Sequence, residues 1–179
     1  MSKQITGLAQ REDFIAAMRR VASSVTVVTT DGTAGRFGAT VSAFSSVSAD
    51  PPTVLVCLFA QSRIARAISE NGRFCVNVLP EESALIADRF AGRDDASVLD
   101  RFSGIPLNSG YDTPQIAGAT VFDCVVDQSI VSGSHLIVTG NVRAVADAGA
   151  APLAYRDGAY HRVIPHGASA QDRQDRAAR

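Results

Sequence analysis

Ser62 stands just ahead of a helix-forming segment, with Arg63 and Arg66 placed about one turn apart behind it. A helix start leaves free N–H donors and a partial positive charge, so this step suits an anion such as a phosphate. It equally suits an ordinary serine cap beside two solvated arginines. Between Ala22 and Arg63 the only charges are Asp31, Arg36 and Asp50, whereas serines and threonines are dense. Within that stretch Ala39, Thr40, Val41 and Ser42, flanked by Gly38 and Ala43, combine small apolar side chains, hydroxyls and accessible backbone. A flat heteroaromatic ring carrying carbonyl and nitrogen acceptors needs those three things and no bulky neighbours. An edge strand whose hydroxyls simply face water is the plain alternative. His135 follows Gly133-Ser134, where a tight turn can set an imidazole at the mouth of a cleft; a lone histidine is as readily structural.

Other chemistries find no support. Cys57, Cys75 and Cys124 are isolated, so neither a disulfide framework nor a thiolate metal site is expected, and His161 and His166 form no ligand spacing. There is no Gly-x-Ser-x-Gly elbow, and Cys57 lies in an apolar run where burial would keep its thiol inert. No Gly-x-Gly-x-x-Gly fingerprint follows a strand, and no phosphate loop ending in Gly-Lys-Ser/Thr exists. A formal charge of -1 over 179 residues gives no basic field for nucleic acid or anionic membrane. The apolar run at 54–60 falls far short of the ~20 residues of a spanning helix, and residues 1–20 lack the core of a signal peptide. A cytoplasmic protein, with no nucleic-acid or membrane partner, is expected.

These residues need elements to hold them. Phe14, Ile15, Met18, Val21 and Ala22 recur at helical spacing, with Glu12 or Asp13 at the positive end, which predicts a short amphipathic helix. Residues 25–30 are β-branched, Asp31-Gly32 supplies a turn, and 37–46 alternates small apolar and hydroxyl residues, as in neighbouring strands. Asp50-Pro51-Pro52 breaks the chain ahead of 53–60, which reads as a buried, central strand. A helix over 64–69 ends at Asn71-Gly72, and 74–79 is a further strand. Residues 81–90 and 95–102 read as helices on either side of Gly92, and 103–118 as a loop. Residues 119–131 and 135–146 are long strands joined by Ser132-Gly133-Ser134, followed by short ones around 153–155 and 160–164. No internal repeat is evident. The expected organisation is a flexible 1–10, one domain over 11–166 and a disordered tail over 167–179. Strands without regular helix alternation point to an antiparallel barrel with peripheral helices rather than a doubly wound sheet.

Several ordered blocks together resemble the flavin reductase-like proteins of the FMN-binding split-barrel fold, above all the small reductases of two-component flavin monooxygenases. The blocks are GATVSAFSSVSADPPTVLVCL at 38–58, the Ser62-Arg63 step, NGRFCVNVL at 71–79, DRFAG at 88–92, Gly133-Ser134-His135, and PLAYRDGAY at 152–160. Ser134 departs from the pattern, many relatives carrying Asp beside the histidine. The resemblance implies a mainly β, antiparallel, Greek-key split barrel. It further implies that Ala39, Thr40, Val41, Ser42, Ser45 and Ser46 lie along the flavin ring and ribityl chain. Val56, Cys57 and Leu58 would give backbone contacts, Ser62 and Arg63 the phosphate grip, and Phe90 with Ala91 a wall. His135 and Tyr160 would lie on the nicotinamide side, His135 positioning the reductant.

The implied reaction is hydride transfer from NADH or NADPH to FMN or FAD by a homodimer, which passes reduced flavin to a monooxygenase component. NADH is preferred because no basic pocket for a 2′-phosphate is evident. Two alternatives remain at this stage: a split-barrel oxidase of the pyridoxamine-phosphate type holding FMN tightly, and a non-catalytic flavin- or haem-binding protein.

Overall fold

The computed structural model describes residues 7–167; all but the first residue of the expected tail at 167–179, and most of the expected flexible N-terminus, lie outside the described residues. Helix α1 spans Arg11–Met18, followed by β1 (Ser23–Ser24), β2 (Thr26–Thr30), β3 (Phe37–Val41), β4 (Phe44–Ala49) and β5 (Pro52–Phe59). Then come α2 (Arg63–Asn71), β6 (Arg73–Val78), α3 (Ala84–Phe90) and the small pair β7 (Leu107–Asn108) and β8 (Gln115–Ile116). The long hairpin β9 (Thr120–Ser132) and β10 (His135–Ala146) precedes β11 (Leu153–Arg156) and β12 (Ala159–Arg162).

Seven strands form one antiparallel sheet in the order β3-β2-β6-β9-β10-β5-β4, and β1, β11 and β12 form a second. Strands β3 and β4 sit at opposite edges of the larger sheet, yet only Ser42 and Ala43 join them. So short a link spans about 10 Å at most, counting the bonds at either end. The sheet must therefore roll up until its edges almost meet. A narrow seam is left between β3 and β5, which is the split of a split barrel.

Both faces of the inner strands are covered. Inside the roll, Val28, Val56, Leu58, Phe74, Val76 and Val138 pack with Ile64 and Ile68 of α2. Outside it, Val27, Cys75, Phe90, Phe102, Ile116 and Leu153 form a second core beneath α3 and the smaller sheet. Strand β2 is buried at every position for this reason. The expected centrality of 53–60 is corrected here: β5 lies next to the edge strand β4, and β2, β6 and β9 occupy the middle. Its apolar run reflects alternate residues, Val54, Val56 and Leu58, entering the barrel core from one face.

Two helix expectations are also corrected. Residues 95–102 form turns, because aromatic packing and arginine contacts described below hold them in a compact loop. The helix expected over 81–90 begins at Ala84. Helix α1 forms, with Gln10 rather than Glu12 or Asp13 at its cap, but none of its residues is buried. Its C-terminal side is moored where Arg19 pairs with Asp157 at 3.0 Å and its carbonyl accepts from the Asp157 amide.

Candidate active site

Helix α2 begins as its sequence dictates. The Ser62 hydroxyl accepts from the Ala65 amide at 3.3 Å, and Gly72 closes the other end in the left-handed conformation, φ +67°. Ile64, Ala65, Ala67 and Ile68 are buried, which fixes the axis with its N-terminus at the seam. No acidic residue occupies the first turn; Arg63 does, where the helix dipole disfavours a cation. The Arg63 guanidinium rests 4.9 Å above the Phe37 ring and, among the described residues, has no carboxylate partner. The amides of Arg63 and Ile64 are likewise free of backbone partners. This is an uncompensated cation beside two unspent N–H donors, suited to a phosphate group.

The N-terminus of α2 opens into a cleft of about 540 Å³. Its walls are residues 36–39 of the β3 edge, 62–64 of α2, and 95 with 98–102 of the loop after α3. Carboxylate–arginine pairs shape that loop, Arg93 with Asp88 at 3.2 Å among them. Arg36 meets Asp100 at 2.9 Å, Arg89 meets Asp94 at 3.0 Å, and Arg101 holds Asp95 through both Nε and Nη2. Those hydrogen bonds keep the Asp95 carboxyl below its ordinary range. With Arg36 and Arg101 paired, Arg63 carries the net charge of the cleft.

The seam continues past Ala39. Ser42, Ser45 and Ser46 are exposed, and among the described residues only the Ser45 hydroxyl of the three donates a hydrogen bond, to the Ser46 carbonyl. Val56 and Leu58 turn their side chains into the core and present only backbone, while Cys57 alternates outward. The Cys57 amide donates to the Ala43 carbonyl at 3.0 Å, and beyond the Phe44–Val56 pair β5 has no β4 partner. Burial pushes the Cys57 thiol up, so it is not a thiolate at neutral pH. Thr40 differs from its neighbours, since its hydroxyl is spent on the Ala87 carbonyl of α3 at 2.7 Å. It braces the strand rather than offering a donor.

His135 is exposed at the first position of β10, across from Phe59 of β5, whose ring lies edge-on at 6.4 Å. The two-residue turn ahead of it places Gly133 at φ +58°, which a glycine adopts freely. Ser134 Oγ lies 3.0 Å from His135 Nδ1, so this serine can orient the ring although an Asp is absent. The Ser134 carbonyl accepts from the Ala60 amide at 3.0 Å, tying the histidine turn to the segment that leads into Ser62.

The remaining site expectations fall elsewhere. Phe90 is 1% exposed, stacked edge-to-face on Phe102 at 4.9 Å, and lies behind the β3 edge. Ala91 is exposed at the end of α3. Tyr160 packs against Tyr155 and donates to Asp88 Oδ1 at 2.7 Å; burial first, then that carboxylate, push its phenol up to about 12. Neither Phe90, Tyr160 nor His135 lines the cleft, whereas Ala39, Ser62 and Arg63 do.

Sequence reading missed Arg101 and the repeat that contains it. Residues 88–92, Asp-Arg-Phe-Ala-Gly, recur twelve residues later at 100–104 as Asp-Arg-Phe-Ser-Gly. The two phenylalanines form the stacked pair, and each arginine reaches across to the other copy. Arg89 Nη1 donates to the Ser103 carbonyl at 3.2 Å, and Arg101 Nη1 donates to the Phe90 carbonyl at 2.9 Å and, at 3.3 Å, to that of Gly38. A search for short repeats would have found the signal.

The donor set fits a flavin. Exposed serines and unpaired backbone run along the seam, and free amides with an uncompensated arginine stand at its helical end. No group of three or more histidine, cysteine or acidic residues gathers as for a metal among the described residues.

Several known proteins are similar to this chain. An FMN reductase (NADH) RutF of Stutzerimonas stutzeri strain A1501 is 36% identical over 146 residues, covering 80% of this chain and 83% of its own. The NADH:FAD oxidoreductase SgcE6 of Streptomyces globisporus, solved with NAD and FAD fragments, superposes with a TM-score of 0.79 at 25% identity, covering 91% of this chain and 100% of its own. The styrene monooxygenase flavin reductase of Pseudomonas putida S12 superposes at 0.76 with 26% identity over 86% of this chain and 98% of its own. The family model described as flavin reductase like domain matches residues 18–163, and the chain belongs to that family.

Proposed function

We propose that this protein is an NADH-dependent flavin reductase that accepts FMN or FAD as substrate and supplies reduced flavin to a partner monooxygenase. The observation that carries this reading is the seam itself: exposed Ser42, Ser45 and Ser46 lead to the free amides of Arg63 and Ile64 and the unpaired Arg63 guanidinium. When both are bound, nicotinamide C4 donates a hydride that the flavin ring takes up at N5, so both electrons belong to the bound groups. The protein's part is position. Ser62 and Arg63 hold the phosphate, the backbone of Val56, Cys57 and Leu58 flanks the ring, and Ala39 with Ser42 keeps the approach thin. His135, steered by Ser134, sets the nicotinamide on the exposed side of the seam. Phe90 and Tyr160 act from behind, through the β3 edge and Asp88. No side chain in the seam is required to move a proton for the transfer.

Several features support the wider proposal. The site is open rather than enclosed, which suits release of the product to a second protein. Exposed Phe14, Ile15 and Met18 of α1, with Ile130 and Val131 at the tip of the β9–β10 hairpin, suit a homodimer. No helix among the described residues is long and apolar enough to cross a membrane. We place the working domain at residues 11–166. The test is NADH consumption with and without added FMN, FAD or riboflavin. Turnover that rises with added flavin is expected; none with any flavin would leave only a binding protein.

A further inference from the structure

We propose that Phe37 is a positioning residue for the phosphate: its ring holds the Arg63 guanidinium in place, so that preference for a phosphorylated flavin over riboflavin depends on this aromatic ring as well as on the arginine. The inference rests on the flavin reductase reading of the same site. It starts from what Arg63 lacks. Asp95 and Asp100, the carboxylates on the cleft wall, are taken by Arg101 and Arg36. The first turn of α2 disfavours a cation, and Arg63 stands in it without an acidic neighbour. What meets the guanidinium is the Phe37 ring, whose centroid lies 4.9 Å from the guanidinium carbon, within the reach of a cation–π contact. A carboxylate partner would neutralise the charge and occupy the N–H fork. A π face attracts the cation and leaves charge and fork to a phosphate. The side chain is also restrained before the ligand arrives, so it loses less rotamer freedom on binding.

The ring is itself held. Phe37 opens β3, pairs with Thr30 of β2 and packs, half-buried, against the barrel core. A Cβ built on Gly35 would lie 3.4 Å from Phe37 Cε2, so this glycine, at φ +94°, passes close to the ring edge. Asn71, the last residue of α2, secures the turn that carries it. Its Nδ2 donates to Thr30 Oγ1 and to the Gly35 carbonyl, both at 3.1 Å, and its Oδ1 accepts from the Ala34 amide at 2.9 Å. Helix α2 is thus tied to the β2–β3 hairpin at both ends, by Asn71 at its C-terminus and by the Arg63–Phe37 contact at its N-terminus. Of the two ties, the second lies in the cleft.

Flavin fluorescence titrations of the full chain with FMN and with riboflavin, with NADH consumption followed in parallel, test this in Phe37→Leu, Phe37→Met, Phe37→Tyr and Arg63→Ala. Leucine and methionine keep apolar bulk against the core without a π face, whereas tyrosine keeps the face. Phe37→Leu and Phe37→Met are expected to weaken FMN by about two- to fivefold relative to riboflavin, the effect of one solvent-accessible cation–π pair, and Phe37→Tyr to keep the ratio of the unmodified protein. With Arg63→Ala already in place, Phe37→Leu should change the ratio no further. An equal loss for both flavins, an unchanged ratio, a ratio that falls as far in Phe37→Tyr, or an undiminished further loss in the Arg63→Ala background would overturn the proposal. Failure of the reductase reading would appear separately, as flavin bound by the unmodified protein without NADH consumption; binding of neither flavin would overturn both.

Discussion

Adding one carbon at Gly38 tests how the aromatic core supports the site. A Cβ built there would lie 2.5 Å from Phe90 Cε1, 2.7 Å from Phe90 Cδ1 and 3.1 Å from Phe102 Cζ. The Phe90 ring cannot swing aside, because it is 1% exposed and held edge-to-face on Phe102. Gly38 has no left-handed φ, so alanine brings no backbone strain and, by restricting the unfolded chain, contributes about 0.4–1 kcal/mol of stability. Overpacking of a dense core costs about 1–3 kcal/mol and outweighs that gain. The expected net loss for Gly38→Ala is about 0.5–2 kcal/mol, or a Tm lower by about 1–8 °C for a chain of this size. Thermal melts followed by circular dichroism provide the measurement. Phe90→Leu in the same background should recover part of the loss, giving a coupling of about 0.5–2 kcal/mol in a double-mutant cycle. A Tm equal to or above that of the unmodified protein, or strictly additive variants, would refute the packing argument.

Three further outcomes follow from the site and the core. Ser62→Ala removes a long, weak cap and should cost about 0.5–1 kcal/mol of stability, while weakening FMN more than riboflavin in fluorescence titrations; an identical effect on both would remove the phosphate assignment. His135→Ala should raise the NADH KM and leave the FMN dissociation constant nearly unchanged, as stopped-flow reduction with titrated NADH would show; a matching loss of FMN affinity would place the imidazole on the flavin instead. Burial, then Asp123, lifts the Cys124 thiol from 9.0 to about 12. The folded protein therefore keeps this proton where the unfolded chain has lost it, so stability is full below pH 9.0 and falls between 9.0 and 12 by up to about 1.4 kcal/mol per pH unit. Urea unfolding of Cys124→Ala across that range should show a shallower decline; an unchanged slope would exclude this thiol as a source.

Local chemistry was legible in the sequence wherever one short segment decides its own conformation. Ser62 and Asn71-Gly72 bracket α2 because a cap and a left-handed closing residue act within one turn of the helix. Gly133-Ser134 makes the hairpin because a two-residue turn needs its φ > 0 supplied locally. The hydroxyl-rich edge and the charge-poor stretch ahead of Arg63 were visible as composition, and they coincide with the seam. Tertiary structure decided what no local window contains. The rolling of the sheet joins β3 to β4 across opposite edges, and β5, apolar enough for the middle, takes a place beside the edge strand. Residues 95–102 carry a helical pattern, yet the crossed bonds of Arg89 and Arg101 and the Phe90–Phe102 stack hold them as a loop. Thr40 and Tyr160 look alike in sequence as free hydroxyls, but carbonyl and carboxylate partners 47 and 72 residues away consume them. Residue type sets which groups are able to bind. Which of them remain unspent depends on contacts between segments far apart in the chain, and those form only when the sheet rolls up.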